Sequence, residues 1–320
     1  MSVWHQLSEV TTQKPTVVTV GNFDGVHRGH QLVLARSADV ARHLGDVSVI
    51  AVTFDPHPLQ ELAPTRAPLL LTGLPQRAEL LTAAGADHVL ALPFDRGVAS
   101  WTPPEFVTRV LVETLHAAAV VVGADFRFGA RAAGDVAALR AAGDDWGFDT
   151  HAVEIAAGEQ TFRWSSSVAR AAVASGDVAA AGQVLGRDHA VRGAVVEGDR
   201  RGRQLGYPTA NVAAPPWIAI PADGVYAGTL RRTDQQSGAA VPAAISVGTN
   251  PTFAGASRRV EAYVLDRDDL ALYGVEVEVA FREFLRPQVR FDDVAQLTEQ
   301  MARDVEHTRA ALSGRRTARQ

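Results

Sequence analysis

A change of pattern near Gly186 constrains the fold of this 320-residue chain more than any other feature. Before it, short apolar runs alternate with amphipathic ones. Thr16–Val20 is a β-branched run that leads into glycine, and a helical stripe of Val33, Ser37, Val40 and Leu44 follows. Residues 47–54 form a second, nearly continuous apolar run; such runs suit strands covered on both faces. Residues 74–84 then read as a helix with Pro75 in its first turn, and residues 88–92 as a strand. Thr102-Pro103-Pro104-Glu105 is a capping box opening a helix with Phe106, Val110 and Thr114 on one side. Residues 118–122 and 152–155 supply two more strands. This alternation predicts a doubly wound parallel sheet. From His189 onward, strands follow one another at 224–232, 241–247, 259–265 and 274–281. In the last, Val275, Val277, Val279 and Phe281 alternate with Glu276, Glu278 and Ala280, which predicts an antiparallel barrel. A helix after Asp292 is expected to bury Val294, Leu297, Met301, Val305, Thr308 and Leu312. The chain divides into residues 1–185 and 186–320.

Composition narrows the chemistry. The chain has no cysteine, which excludes disulfides, thiolate catalysis and Cys-based metal sites. Lys14 is its only lysine, so a P-loop is impossible and phosphate must be met by His, Arg, backbone N–H groups and a metal. A net charge of −5 argues against nucleic-acid binding, and the acidic balance allows a homo-oligomer without requiring one. No apolar run suggests a membrane span, and the polar first residues do not read as a secretory signal; a cytoplasmic location is expected.

Residues 21–30, Gly-Asn-Phe-Asp-Gly-Val-His-Arg-Gly-His, connect a strand to a helix, at the sheet edge where ligands bind. Gly21, Gly25 and Gly29 let backbone approach a ligand, and the next helix offers its N-terminus to phosphate. His27 and His30 are spaced to face one phosphate. Residues 53–58 (Thr-Phe-Asp-Pro-His-Pro) leave the second strand, and two prolines stiffen the loop they form. Residues 122–129 carry Asp125, Phe126 and Phe128 out of another strand; by themselves these phenylalanines read as core. Ser165-Ser166-Ser167, with Arg163 and Arg170, offers hydroxyls and cations to a triphosphate; by itself it reads as a serine-rich helix cap.

Together these strings resemble the adenylyltransferase half of bacterial bifunctional riboflavin kinase/FMN adenylyltransferase, or FAD synthetase. The resemblance implies a Rossmann-like nucleotidyltransferase domain. It assigns Gly21, Phe23, Asp24, Gly25, His27, His30, Arg163, Ser166, Ser167 and Arg170 to ATP, with His27, His30 and Arg170 catalytic. It assigns Asp55, Pro56, His57, Pro58, Asp125, Phe126 and Phe128 to the flavin. The family commonly reads Ser-Ser-Thr-x-Ile-Arg where this chain has Ser167 and Ala169. Serine keeps the hydroxyl; alanine loses packing volume.

In the second half, residues 198–206 are rich in glycine and arginine and suit a loop over phosphates. Thr209 and Asn211 alternate on an extended segment, so their oxygens point to one side and suit Mg²⁺. Glu261 lies between Val260 and Ala262; facing inward it would be a general base, and by itself it reads as outward-facing. With Asp223-Gly224-Val225-Tyr226, residues 245–253, Leu272-Tyr273-Gly274 and Phe284-Leu285-Arg286-Pro287, the segment resembles the riboflavin kinase half of the same family. That implies a six-stranded barrel. Gly198, Arg203, Gly206, Pro208, Thr209 and Asn211 would bind ATP, Thr209 and Asn211 hold Mg²⁺, and Glu261 act as base.

The implied chemistry is phosphorylation of riboflavin to FMN, then adenylylation of FMN to FAD. Two other readings are an adenylyltransferase for a different phosphate ester, and a flavin-sensing regulator without catalysis. The intact string from Pro208 to Asn211 argues against the first, and retention of His27, His30, Thr209, Asn211 and Glu261 against the second.

Overall fold

A computed structural model describes residues 2–45, 47–154, 164–197, 206–235, 238–252, 255–267 and 271–313. Two compact units emerge: Met1–Pro68 with Thr72–Ser166, and Leu69–Leu71 with Ser167–Gln320.

In the first unit, six strands form one sheet: β1 (Ser2–Trp4), β2 (Thr16–Val20), β3 (Ser48–Asp55), β4 (His88–Pro93), β5 (Ala117–Gly123) and β6 (Asp149–Val153). Their order is β1-β4-β3-β2-β5-β6 and every pair is parallel. Helices α1 (Arg28–His43), α2 (Pro58–Leu62), α3 (Leu74–Ala83), α4 (Arg96–Ser100), α5 (Pro103–Phe106) and α6 (Val136–Trp146) complete it. The apolar runs are continuous because both faces are covered. Val18, Val20, Ile50, Val52, Val120 and Val122 pack with Phe106, Val110 and Leu111 on one side. Val17, Val49, Ala119 and Val121 pack with Val33 and Val40 on the other. The strand order reverses beside β2, so the loop after β2 opens at the crevice where such sheets bind ligands. Ser2–Trp4 adds an edge strand that the alternation does not predict; Trp4 is buried and stacks on His88 at 4.9 Å.

The helix expected after Thr102 forms differently. Its capping box is present, but the chain widens to a π-helix over Val107–Thr114, and Leu115 N bonds Val110 O at 3.0 Å. The wider turn buries Leu115 in place of Thr114, whose hydroxyl bonds Arg109 O at 2.6 Å. The loop expected at Pro56–Pro58 also gives way to α2, with Pro58 at its first position and His57 as its cap, paired reciprocally with Gln60.

The second unit is a closed barrel of β7 (His189–Val196), β8 (Thr209–Ala213), β9 (Gly224–Arg232), β10 (Val241–Thr252), β11 (Gly255–Val264) and β12 (Glu276–Arg286), ordered β10-β11-β8-β7-β12-β9 and antiparallel throughout. Val191, Val212, Ile245, Val260, Ala262, Val277, Val279 and Phe281 belong to its core. Helices α7 (Ser166–Ser175), α8 (Val178–Leu185) and α9 (Val294–Ser313) accompany it. Because α8 packs on β7 and β12, the compact units divide upstream of residue 186, where the strand-rich segment begins. Leu70 joins this unit by pairing with Ile218.

The stripe expected on α9 forms in part. Thr308 is buried as expected, Leu297, Met301, Val305 and Leu312 are half-buried, Val294 is exposed, and Asp304 is buried as well. The cause is Arg286, which forks onto Asp304 at 2.7 and 2.9 Å and turns that polar residue toward the barrel. Among the described residues no helix is long and apolar enough to cross a membrane.

Candidate functional site

Three loops meet at the carboxyl edge of the sheet, because β3, β2 and β5 are neighbours and parallel. The loop after β2 carries Gly21, Phe23, Asp24, Gly25 and His27. Phe23, Gly25 and Val26 hold φ at 50°, 79° and 39°, which winds the loop tightly before α1. His27 caps α1: its Nδ1 accepts from His30 N at 3.4 Å, and the two imidazoles stack at 3.6 Å. The Phe23 ring meets His30 edge-on at 5.0 Å. Among the described residues, the Nδ1 of His30 is buried without a hydrogen-bond partner. Burial, then the neighbouring His27 and Arg77 charges, holds the His30 pKa well below the ordinary histidine value.

Asp24 is buried and accepts from Thr72 N at 3.1 Å, while Gly25 N donates to Thr72 Oγ1 at 3.1 Å. Ser166 Oγ donates to Asp24 O at 2.8 Å, so Ser166 reaches this loop. Ser167 and Arg170 lie on α7, where Ala169 is fully buried; the small side chain suits a closely packed helix. Arg163 lies outside the described residues.

After β3, Asp55 and Pro56 are exposed, Pro58 is half-buried and His57 is buried as the α2 cap. After β5, Asp125 is exposed, and the Phe126 and Phe128 rings stack at 5.6 Å. Phe128 is in the core against Phe106, and a side chain at Gly134 would strike its ring at 2.7 Å. Phe126 is half-buried and packs against the same core.

The second site lies on the outer face of the barrel. Ala210 and Val212 enter the core, so Thr209 and Asn211 share the opposite face of β8. Glu261 likewise sits between core residues Val260 and Ala262, so it faces outward, not inward. Its cross-strand partners are Asn211 on β8 and Ser246 on β10. Glu261, Asp223, Ser246, Gly248, Thr249, Arg259, Gln288, Val289 and Arg290 line a cavity of about 430 Å³. Its walls are tied in place. Gln288 Nε2 donates to Ser246 Oγ at 2.9 Å and to Val247 O at 3.0 Å. Asp223 accepts from Thr249 Oγ1 at 2.8 Å and from Arg258 Nη2 at 2.8 Å. Burial would raise the Asp223 pKa, but these hydrogen bonds outweigh it and leave the carboxyl below its ordinary value. Gly206 and Pro208 are exposed before β8; Gly198 and Arg203 lie outside the described residues.

The family described as FAD synthetase matches residues 9–167, and that described as riboflavin kinase matches residues 185–312. A bifunctional riboflavin kinase/FMN adenylyltransferase of Escherichia coli (strain K12) is 37% identical over 94% of this chain and 93% of its own length. Proteins of the same description from Pseudomonas fluorescens and Listeria monocytogenes are 36% and 34% identical over 92% of this chain, covering 92% and 91% of their own lengths. This chain belongs to the bifunctional riboflavin kinase/FMN adenylyltransferase family. A crystal structure described as a macrolide-efflux protein from Streptococcus pneumoniae shares the fold, with a TM-score of 0.84 and 31% identity over 96% of this chain and 98% of that one. The FAD synthetase match covers β2 to β6 of the parallel sheet, and the riboflavin kinase match covers the barrel and all but the last residue of α9.

Sequence reasoning passed over Arg77 and Thr72, which both reach the loop after β2. The signal for Arg77 was available: with Leu74, Ala78 and Leu81 it completes the spacing of a buried helical face. It also passed over Arg258 and Gln288, whose partners come from distant strands.

Proposed function

We propose that the chain makes FAD from riboflavin in two steps, one at each site. In the barrel, the ribityl 5′-hydroxyl attacks the γ-phosphorus of ATP, and the bond to the β–γ bridging oxygen breaks, giving FMN and ADP. Glu261 accepts the hydroxyl proton. The observation that carries this reading is the pairing of Glu261 with Asn211, at a cavity whose walls are held by Asp223 and Gln288. The oxygens of Thr209 and Asn211 share that outer face and are hard donors, a set that fits one Mg²⁺ held jointly with substrate phosphates. When bound, Mg²⁺ supplies charge neutralisation to those phosphates. Gly198, Arg203, Gly206 and Pro208 belong to the ATP side of this site by the same resemblance.

On the sheet edge, a phosphate oxygen of FMN attacks the α-phosphorus of a second ATP, and pyrophosphate leaves. His27 and His30 stabilise the oxygens that gain charge, with Arg163, Ser166, Ser167 and Arg170 as triphosphate partners. Asp55, Pro56, His57, Pro58 and Asp125 border the flavin, Phe126 contacts it, and Phe128 supports Phe126 from behind. The division between the two functions is placed near residue 186, which accords with matches ending at 167 and starting at 185.

The test is incubation of the whole chain with riboflavin and Mg²⁺–ATP, separating FMN and FAD over time. FMN should appear first and FAD after it. FMN without FAD, or neither, would contradict the two-step reading.

A further inference from the structure

Arg77 is among the largest fully buried side chains of the protein, and it lies on no loop that the two reactions call for. It projects from the first turn of α3. Its Nη1 donates to Asn22 O at 3.4 Å, to Thr53 Oγ1 at 3.1 Å and to Phe54 O at 3.0 Å. Its Nη2 donates to Thr72 O at 3.4 Å. Thr53 Oγ1 in turn donates to Asn22 O at 3.0 Å. One planar fork therefore ties three segments: the loop after β2, the end of β3 and the segment before α3. A guanidinium is suited to this because its donors hold a fixed geometry that an ammonium lacks.

The charge is placed with equal economy. Burial lowers the Arg77 pKa, and the charges of Asp24 and Asp55 oppose that. Asp24 belongs to the ATP-side loop and Asp55 to the flavin-side loop. Among the described residues, the Nε of Arg77 is buried without a hydrogen-bond partner. A buried donor left open is costly, and a residue selected for stability alone has cheaper apolar replacements on a helix face.

We propose that Arg77 is a positioning residue for adenylyl transfer, which sets the ATP-side loop in register with the flavin-side loop. Each loop keeps its own ligand contacts without Arg77. What is lost is the alignment of the FMN phosphate oxygen with the α-phosphorus, and a misplacement of about 1 Å can cost roughly 100-fold in rate. The inference rests on the proposed assignment of adenylyl transfer to the sheet edge.

The test uses the full chain with Arg77→Met, Arg77→Lys and Thr53→Val. Arg77→Met should lower kcat for FAD formation by about 100-fold. Its KM values for ATP and FMN should stay near those of the parent chain, and riboflavin phosphorylation should continue at the parent rate. Arg77→Lys keeps charge without the fork and should fall between the two. Thr53→Val preserves side-chain shape and removes one acceptor of the fork, so it should lower the same kcat by about 10-fold even if Arg77→Met does not fold. Parent-like kcat in folded Arg77→Met, or in Thr53→Val where Arg77→Met fails to fold, overturns the proposal. So does a loss seen wholly in KM. A parent chain that forms no FAD overturns the functional reading instead.

Discussion

Val26 holds φ at 39°, a region that a β-branched residue seldom enters. Strain of this kind costs about 1–3 kcal/mol per residue and persists where packing over-determines it. Here Val26 and Phe23 are buried with Leu34, Ala51 and Leu81, so the turn that delivers His27 and His30 is held from beneath. His30 carries the clearest pH signature. Its folded pKa lies well below 6.5, first from burial and then from His27 and Arg77. Below pH about 6.5 the unfolded chain binds a proton at this position that the folded chain refuses, so stability falls as pH drops. The slope from one such group is at most about 1.4 kcal/mol per pH unit. Melting curves of the parent and of His30→Asn between pH 7 and 5 should show a shallower acid loss in the variant; parallel curves would contradict the assignment. The two histidines were legible because their spacing sits in a long string after a strand. Arg77 was passed over because one arginine on an amphipathic helix usually marks its wet face, although its spacing with Leu74, Ala78 and Leu81 signals a buried position.

At the scale of elements, α9 shows how a single ion pair alters a hydrophobic stripe. The sequence offers Leu297, Met301, Val305 and Leu312 as an apolar face, yet Asp304 is the side chain driven inward. Arg286 on β12 binds it through two nitrogens, Gln300 Nε2 adds a bond at 2.9 Å, and Thr308 bonds back to Asp304 O at 2.8 Å. Removing one partner of a buried pair leaves the other charge without compensation. Asp304→Ala should therefore destabilise the barrel by about 3 kcal/mol, read as a lower temperature for loss of riboflavin phosphorylation. An unchanged inactivation temperature would show that α9 is held by its half-buried apolar residues. The same lesson applies to residues 107–114. A period of 3.6 predicts Thr114 on the buried side, whereas the π-helix substitutes Leu115. Sequence gives the existence of the helix; the winding that seats Leu115 depends on the sheet beneath it.

Over the whole molecule, each unit has its own core, the sheet with its faces covered by helices and the barrel filled by one cluster. Two sites that carry different reactions should be separable by mutation. Glu261→Gln should abolish riboflavin phosphorylation while supplied FMN is still converted to FAD. His27→Ala with His30→Ala should do the reverse. Chromatographic assay of both products in each variant checks this, and loss of both activities in a folded variant would contradict independent sites. The sequence by itself determined the alternation of strands and helices, the later run of antiparallel strands, and the strings that place His27, His30, Thr209, Asn211 and Glu261. These are local: period, turn chemistry and short motifs act within a few residues. Only the tertiary structure decided that β10 closes on β9, that Ser2–Trp4 completes the sheet edge, that Glu261 faces out of the barrel beside Asn211, and that Arg77 joins two loops from within. Those features depend on partners far apart in the chain, and burial and hydrogen-bond satisfaction select them only once the core has formed.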